Sequence, residues 1–123
     1  MIQHIVLLKW KPGTRDEQVL ETFARAEHLA RDIPGVESLT IGRNQLDQGH
    51  GFTHALIVRL ADEQALERYL AHPLRKSYVD EQLGPIEDQR IEIDVPVDMT
   101  LRRDPEFSWE WGAGMGTALP YEP

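Results

Sequence analysis

Residues 51–73 read GFTHALIVRLADEQALERYLAHP, and two periodicities meet in this stretch. From Phe52 to Leu60 the chain alternates: Phe52, His54, Leu56, Val58 and Leu60 share one face, and Thr53, Ala55, Ile57 and Arg59 the other. That is the period of a strand. At Asp62 the period changes. Its carboxylate is placed to cap a helix that turns Ala65, Leu66, Tyr69 and Leu70 inward, and His72-Pro73 breaks that helix before a shorter turn through Tyr78 and Leu83.

Working outward, residues 2–10 predict a strand with Ile2, His4, Val6, Leu8 and Trp10 on one face and Ile5 and Leu7 making the other face apolar too. Thr14 opens T-R-D-E, which predicts a capping box with Glu17 and a helix to about Asp32. The stripe Val19, Leu20, Phe23, Ala24, Ala26, Ala30 and Ile33 is its core face. Ile33-Pro34-Gly35-Val36 ends the helix, residues 36–43 alternate as a second strand, and NQLDQGHG is a loop. Residues 89–97, QRIEIDVPV, give the last strand.

The order β-α-β-β-α-β predicts an α+β ferredoxin-like domain, one antiparallel sheet with both helices on one face. The other face then needs a cover. Both faces of the first strand are apolar, so its parity leaves either side for the helices; if Ile5, Leu7, Leu39, Ile41, Ala55 and Ile57 lie on the helix-free side, a single copy exposes a sizeable apolar patch, and sheet-to-sheet pairing into a homodimer is the expected remedy. Residues 1–97 form this domain. Residues 98–123 change character: Phe107, Trp109, Trp111 and Tyr121 stand among Gly and Pro without either period, which predicts an extended C-terminal segment with its aromatics against a subunit surface.

The chain has 123 residues, enough for one domain, and 13 Lys+Arg against 21 Asp+Glu give a formal charge of -8. An acidic chain without a basic cluster is a poor partner for nucleic acid or an anionic membrane. It has no Cys, which removes disulfide frameworks, thiolate zinc sites and Cys nucleophiles, and fits a cytoplasmic location. The first apolar run is far short of the roughly 20 residues of a membrane span. GAGMG at 112–116 has neither the preceding strand nor the Lys-Ser or Lys-Thr pair of a phosphate loop.

His4 and His54 fall within apolar strands at positions otherwise held by bulky residues. The first and third strands of a ferredoxin-like sheet are neighbours, so the two rings are expected to look into one space, either as hydrogen-bonded core histidines or as acid/base groups. Tyr69 shares a helix face with Leu66, with a ring for the core and a hydroxyl that needs a partner. If the chain is an enzyme, His54 is the expected proton-transfer group, Tyr69 orients a carbonyl, and His4 completes the polar floor. Arg75 then receives negative charge at the entrance. His72 caps a helix end or helps bind.

HIVLLKWKPGT, IPGV, GFTHALIVRLADEQALERYLAHP and RIEIDVPV together resemble the stress-responsive dimeric A/B barrel (Dabb) family over about residues 1–97. The resemblance implies a sheet-to-sheet dimeric barrel and a cavity between sheet and helices. It also implies kinship with a plant polyketide cyclase that closes its substrate by an aldol step, whose motif residues match His4, His54, Tyr69 and His72-Pro73. Where that motif has a second His, this chain has Arg75, which is no base at neutral pH but holds a carboxylate or enolate. Some members hold magnesium on main-chain carbonyls, which match Ala30, Ile33 and Val36; no other cofactor is implied.

Two functions of different class follow. One is an enzyme performing acid/base chemistry (aldol cyclisation, isomerisation or lyase cleavage) on a small hydrophobic or aromatic carbonyl compound. The other is a non-catalytic stress-linked binding or assembly protein. The volume of the helix–sheet cavity discriminates between them.

Overall fold

The computed structural model describes residues 1–46, 48–97, 101–103 and 109–111. Strand β1 (Ile2–Trp10) leads into helix α1 (Asp16–Asp32), then β2 (Val36–Arg43), β3 (His54–Leu60), helix α2 (Glu63–Ala71), the short helix α3 (Pro73–Tyr78), a π-helical segment Val79–Leu83, and β4 (Glu87–Pro96). The four strands make one antiparallel sheet in the order β2-β3-β1-β4. This is the ferredoxin-like plan, with the second helical region divided where Pro73 enters the first turn of α3. Among the described residues no helix is long and apolar enough to cross a membrane.

The even-numbered side of β1 faces the helices. Leu8 and Leu60 are fully buried, and Val6, Leu56 and Val58 nearly so, packed with Phe23 of α1 and with Ala65 and Tyr69 of α2. Leu39 and Ile41 belong to this side as well. They pair opposite Val58 and Leu56 and pack on the core, so their assignment to the helix-free face is corrected. A register shift between Val36 and Ser38 is the reason: it sets the parity of β2 and brings Val36 in too. The helix-free face instead carries Ile5, Leu7, Ala55 and Ile57, joined across β1 by Ile91, Ile93 and Val95 of β4, the last three 44%, 48% and 38% exposed.

Two local readings also move. The Thr14 hydroxyl donates to the Lys11 carbonyl at 2.7 Å, closing the preceding turn, and α1 is capped one residue later, where the Gln18 side-chain oxygen accepts the Arg15 N–H at 2.9 Å. Asp62 caps α2 as expected, accepting from the Ala65 N–H at 2.8 Å. The turn before β2 rests on Gly35 at φ +91°, where a Cβ would lie 2.7 Å from that of Ala65. Only glycine fits there. In the C-terminal segment, Leu101–Arg103 (β5) and Trp109–Trp111 (β6) pair antiparallel, regular structure where the sequence showed no period. The expected packing of the tail aromatics lies outside the described residues.

Candidate active site

β1 turns His4 toward the helices at 1% exposure, and so buried an imidazole requires partners. They come from β4, whose register places Asp94 opposite His4 and Glu92 opposite Val6. With Ile91, Ile93 and Val95 on the far face, the alternation turns Arg90, Glu92 and Asp94 toward the helices. Asp94 Oδ1 lies 2.6 Å from His4 Nδ1. Glu92 Oε1 stands 3.3 Å from Nε2, close enough for an ion pair but misaligned for a hydrogen bond, so this buried nitrogen has no hydrogen-bond partner.

The helices complete the site. Tyr69 of α2 sets its ring edge-on to His4, with centroids 5.6 Å apart. Arg75 of α3 lies 5.7 Å from the Tyr69 ring centroid, within cation–π range, and donates from Nη2 to Glu92 Oε1 at 2.5 Å. Arg90 reaches Glu92 at 3.9 Å and Glu87 at 3.6 Å. The π-helical turn contributes Val79 and Leu83 to the wall, an instance of an irregular helix beside a candidate site. The cavity left between these groups has a volume of about 10 Å³, room for about one water.

Burial alone would lower the His4 pKa, but the carboxylates of Glu92 and Asp94 beside the two ring nitrogens outweigh it, and the value is raised above 6.5. His4, and after it Arg75 and Arg90, hold the Glu92 carboxyl down at about 2 against the opposing effect of burial. The Tyr69 phenol is raised by burial despite the nearby Arg75 cation, so it remains a proton donor. Burial and the neighbouring Tyr69 and Glu87 raise Tyr78 as well, and its hydroxyl donates to the Thr22 carbonyl at 3.1 Å.

His54 does not join this group, and the expectation that both rings look into one space is corrected. It pairs opposite Leu8, four residues from His4, about 14 Å along the strand, with Val6 and Leu8 between. Its neighbours are Trp10 and Phe23, with ring centroids 5.7 and 5.5 Å away. Trp10 Nε1 donates to Nδ1 at 2.9 Å, and the Thr53 hydroxyl lies 2.9 Å from the same nitrogen. That nitrogen is therefore an acceptor. Burial and the Arg43 charge lower the His54 pKa, against a smaller opposing effect of Asp16. His72 lies in the α2–α3 corner, where Nδ1 accepts from the Leu74 N–H at 3.1 Å as a helix cap.

The structure thus unites His4, Tyr69 and Arg75, leaves His54 and His72 outside, and adds Glu92, Asp94 and Arg90, which the sequence reading had not singled out. The signal was present: a core-facing His on β1 needs polar groups on a neighbouring strand, and RIEID supplies them at alternate positions. Ala30, Ile33 and Val36 lie by the opposite sheet edge, where Ala30 and Val36 line an open hollow of about 340 Å³ together with Glu27 and Glu37. Arg31 lines the same hollow, and the Ile33 carbonyl accepts from the Val36 N–H at 3.4 Å.

The family model described as Stress responsive A/B Barrel Domain (Dabb) matches residues 2–97. The chain belongs to this family. Among Dabb relatives, olivetolic acid cyclase of Cannabis sativa is 25% identical over 81 residues, covering 64% of this chain and 80% of the cyclase. Hydroxynitrile lyase from Passiflora edulis superposes with a TM-score of 0.74 at 18% identity, covering 82% of this chain and 96% of the lyase. A dimeric ferredoxin-like protein of unknown function from Thermobifida fusca gives 0.68 at 20% identity, over 78% and 90% of the two chains.

Proposed function

We propose that this Dabb protein is an acid–base catalyst for a small carbonyl compound, with His4 moving the proton. One observation carries the reading: a buried His4 whose Nδ1 is held by Asp94 and whose Nε2, 3.3 Å from Glu92 without an aligned hydrogen bond, borders the Tyr69–Arg75 cavity. A carboxylate on one ring nitrogen orients the imidazole and stabilises its cation, leaving the other nitrogen for chemistry. In the neutral form Nε2 takes a proton from carbon next to the carbonyl. The Tyr69 hydroxyl donates a hydrogen bond to the developing enolate oxygen, and Arg75 balances its charge. Return of the proton from Nε2 to carbon or oxygen completes an isomerisation, and attack of the enolate carbon on a second carbonyl gives an aldol step. That relatives include a cyclase and a lyase supports a catalytic reading.

The cavity volume of about 10 Å³ favours the non-catalytic alternative, because it excludes a ring while Arg75 stays in place. Deuterium exchange next to the carbonyl of acetone, 2,4-pentanedione, acetophenone and the keto acid levulinate, followed by NMR, separates the two. Catalysis requires exchange above buffer that falls about 100-fold or more in His4→Gln, the usual worth of a general acid or base. No exchange with any of the four leaves the binding or assembly protein.

The proposal extends to assembly. Two copies pair through Ile5, Leu7, Ile57, Ile91, Ile93 and Val95 and close a barrel, which an open apolar face and a dimeric relative support. Light scattering is expected to give twice 14.1 kDa, and Ile93→Glu to give the monomer. A magnesium ion at the carbonyls of Ala30, Ile33 and Val36 would clamp the turn before β2 and supply no chemistry to the His4 cavity.

A further inference from the structure

The Arg75–Glu92 pair closes the His4 cavity from the α3 side. We infer that Arg75 is an exchangeable gate selecting carbonyl compounds that also carry a carboxylate, an inference resting on the acid–base reading of the same cavity. Among the described residues Arg75 has one carboxylate partner, Glu92, and lies over the ring of Tyr69. Glu92 has three cationic neighbours: Arg75 at 2.5 Å, His4 at 3.3 Å and Arg90 at 3.9 Å. The pair is therefore asymmetric. If Arg75 turns to another carboxylate, Glu92 keeps Arg90 at 3.9 Å, and His4 as well while the imidazole is protonated, so it is not left as an uncompensated charge, the outcome that makes breaking an ion pair costly.

Exchange also opens space. Arg75 lines the water-sized cavity directly, so moving its guanidinium toward an arriving anion widens the entrance toward Tyr69 and His4. The cavity lining balances Arg75, Arg90 and His4 against Glu92, with Asp94 on His4 and Glu87 on Arg90, so a preference for an anionic ligand rests on the Arg75 guanidinium itself. The guanidinium offers two parallel N–H groups to a carboxylate, a match that a neutral ester lacks.

Levulinate and methyl levulinate, a keto acid and its uncharged ester, test the gate. Binding is read from chemical-shift changes of the His4 and Tyr69 rings, and exchange next to the ketone is followed separately. Wild type is expected to bind levulinate about 10-fold or more tighter than the ester, the usual worth of a charged hydrogen bond. Arg75→Gln should abolish the preference, and Arg75→Lys should retain part of it. Equal affinity for the two probes, a preference surviving in Arg75→Gln, or no binding of either at millimolar concentration overturns the gate. Exchange of the ester by wild type as fast as that of levulinate would leave the acid–base reading standing while the gate falls. Levulinate binding without exchange would do the reverse.

Discussion

The two ends of the helix-facing side of the sheet each hold a histidine, and the two behave oppositely. His4 is the more buried, yet its pKa is raised; His54 is half-buried, and its pKa is lowered. The difference lies in the strand next door. β1 pairs with β4, which brings Asp94 and Glu92 to His4, whereas β3 pairs with β2, which brings Arg43 opposite His54. Desolvation works against both cations, but only at the His4 end do carboxylates outweigh it. Sheet order, more than depth, decides which imidazole is the more basic.

The hydrophobic wall between the ends is the first place to break this comparison. Leu8 is fully buried opposite His54, and Leu8→Ala should cost about 2–5 kcal/mol in chemical denaturation. A cost under about 1 kcal/mol would mean that the two ends are not separated by a packed core. Next comes catalysis: His4→Gln should reduce exchange about 100-fold or more, while His54→Gln, with its fold verified by circular dichroism, should change it less than about threefold. The reverse pattern would move the chemistry to the aromatic end. Asp62→Ala removes the cap of the helix carrying Tyr69 and should cost about 1 kcal/mol, measured by thermal unfolding.

The smallest effects concern protons. In an NMR titration His4 should titrate above 6.5 and His54 below it, and coincident curves would remove the contrast. A raised folded pKa gives His4 a contribution that is complete below about 6.5 and lost as pH rises through the folded value. The depressed pKa of Glu92 acts in the opposite window: its contribution is present above about 4.5 and lost as pH falls toward about 2. Glu92→Gln should therefore lose less of its remaining stability than wild type over that acidic range.

Much of this was legible in the chain. The alternation of Ile2 to Leu8 and of His54 to Leu60 identified two central strands, and Asp62 and His72-Pro73 bounded α2 where the structure bounds it. The failures share a cause. Leu39 and Ile41 were misplaced because a shift between Val36 and Ser38 changes parity without changing composition. Glu92 and Asp94 escaped notice because a strand with charges on alternate residues reads as solvated on that side. Only the pairing of β4 with β1 turns those charges inward. Tyr69 was placed by the local spacing of its helix face and Arg75 by its match to the family motif, whereas the separation of His4 from His54 depends on register, which no local pattern contains.

Gly35 lies at the far edge of the sheet from the cavity, yet its bare α-carbon lets the turn before β2 seat directly on Ala65, in the first turn of the helix that presents Tyr69. A methyl group there would lever α2 away from the sheet and shift the phenol relative to His4. The tolerance of the site to change is thus set partly by a position that touches none of its residues. A search for altered selectivity that varied only the cavity lining would miss the one adjustment that moves a wall of the cavity without changing its chemistry.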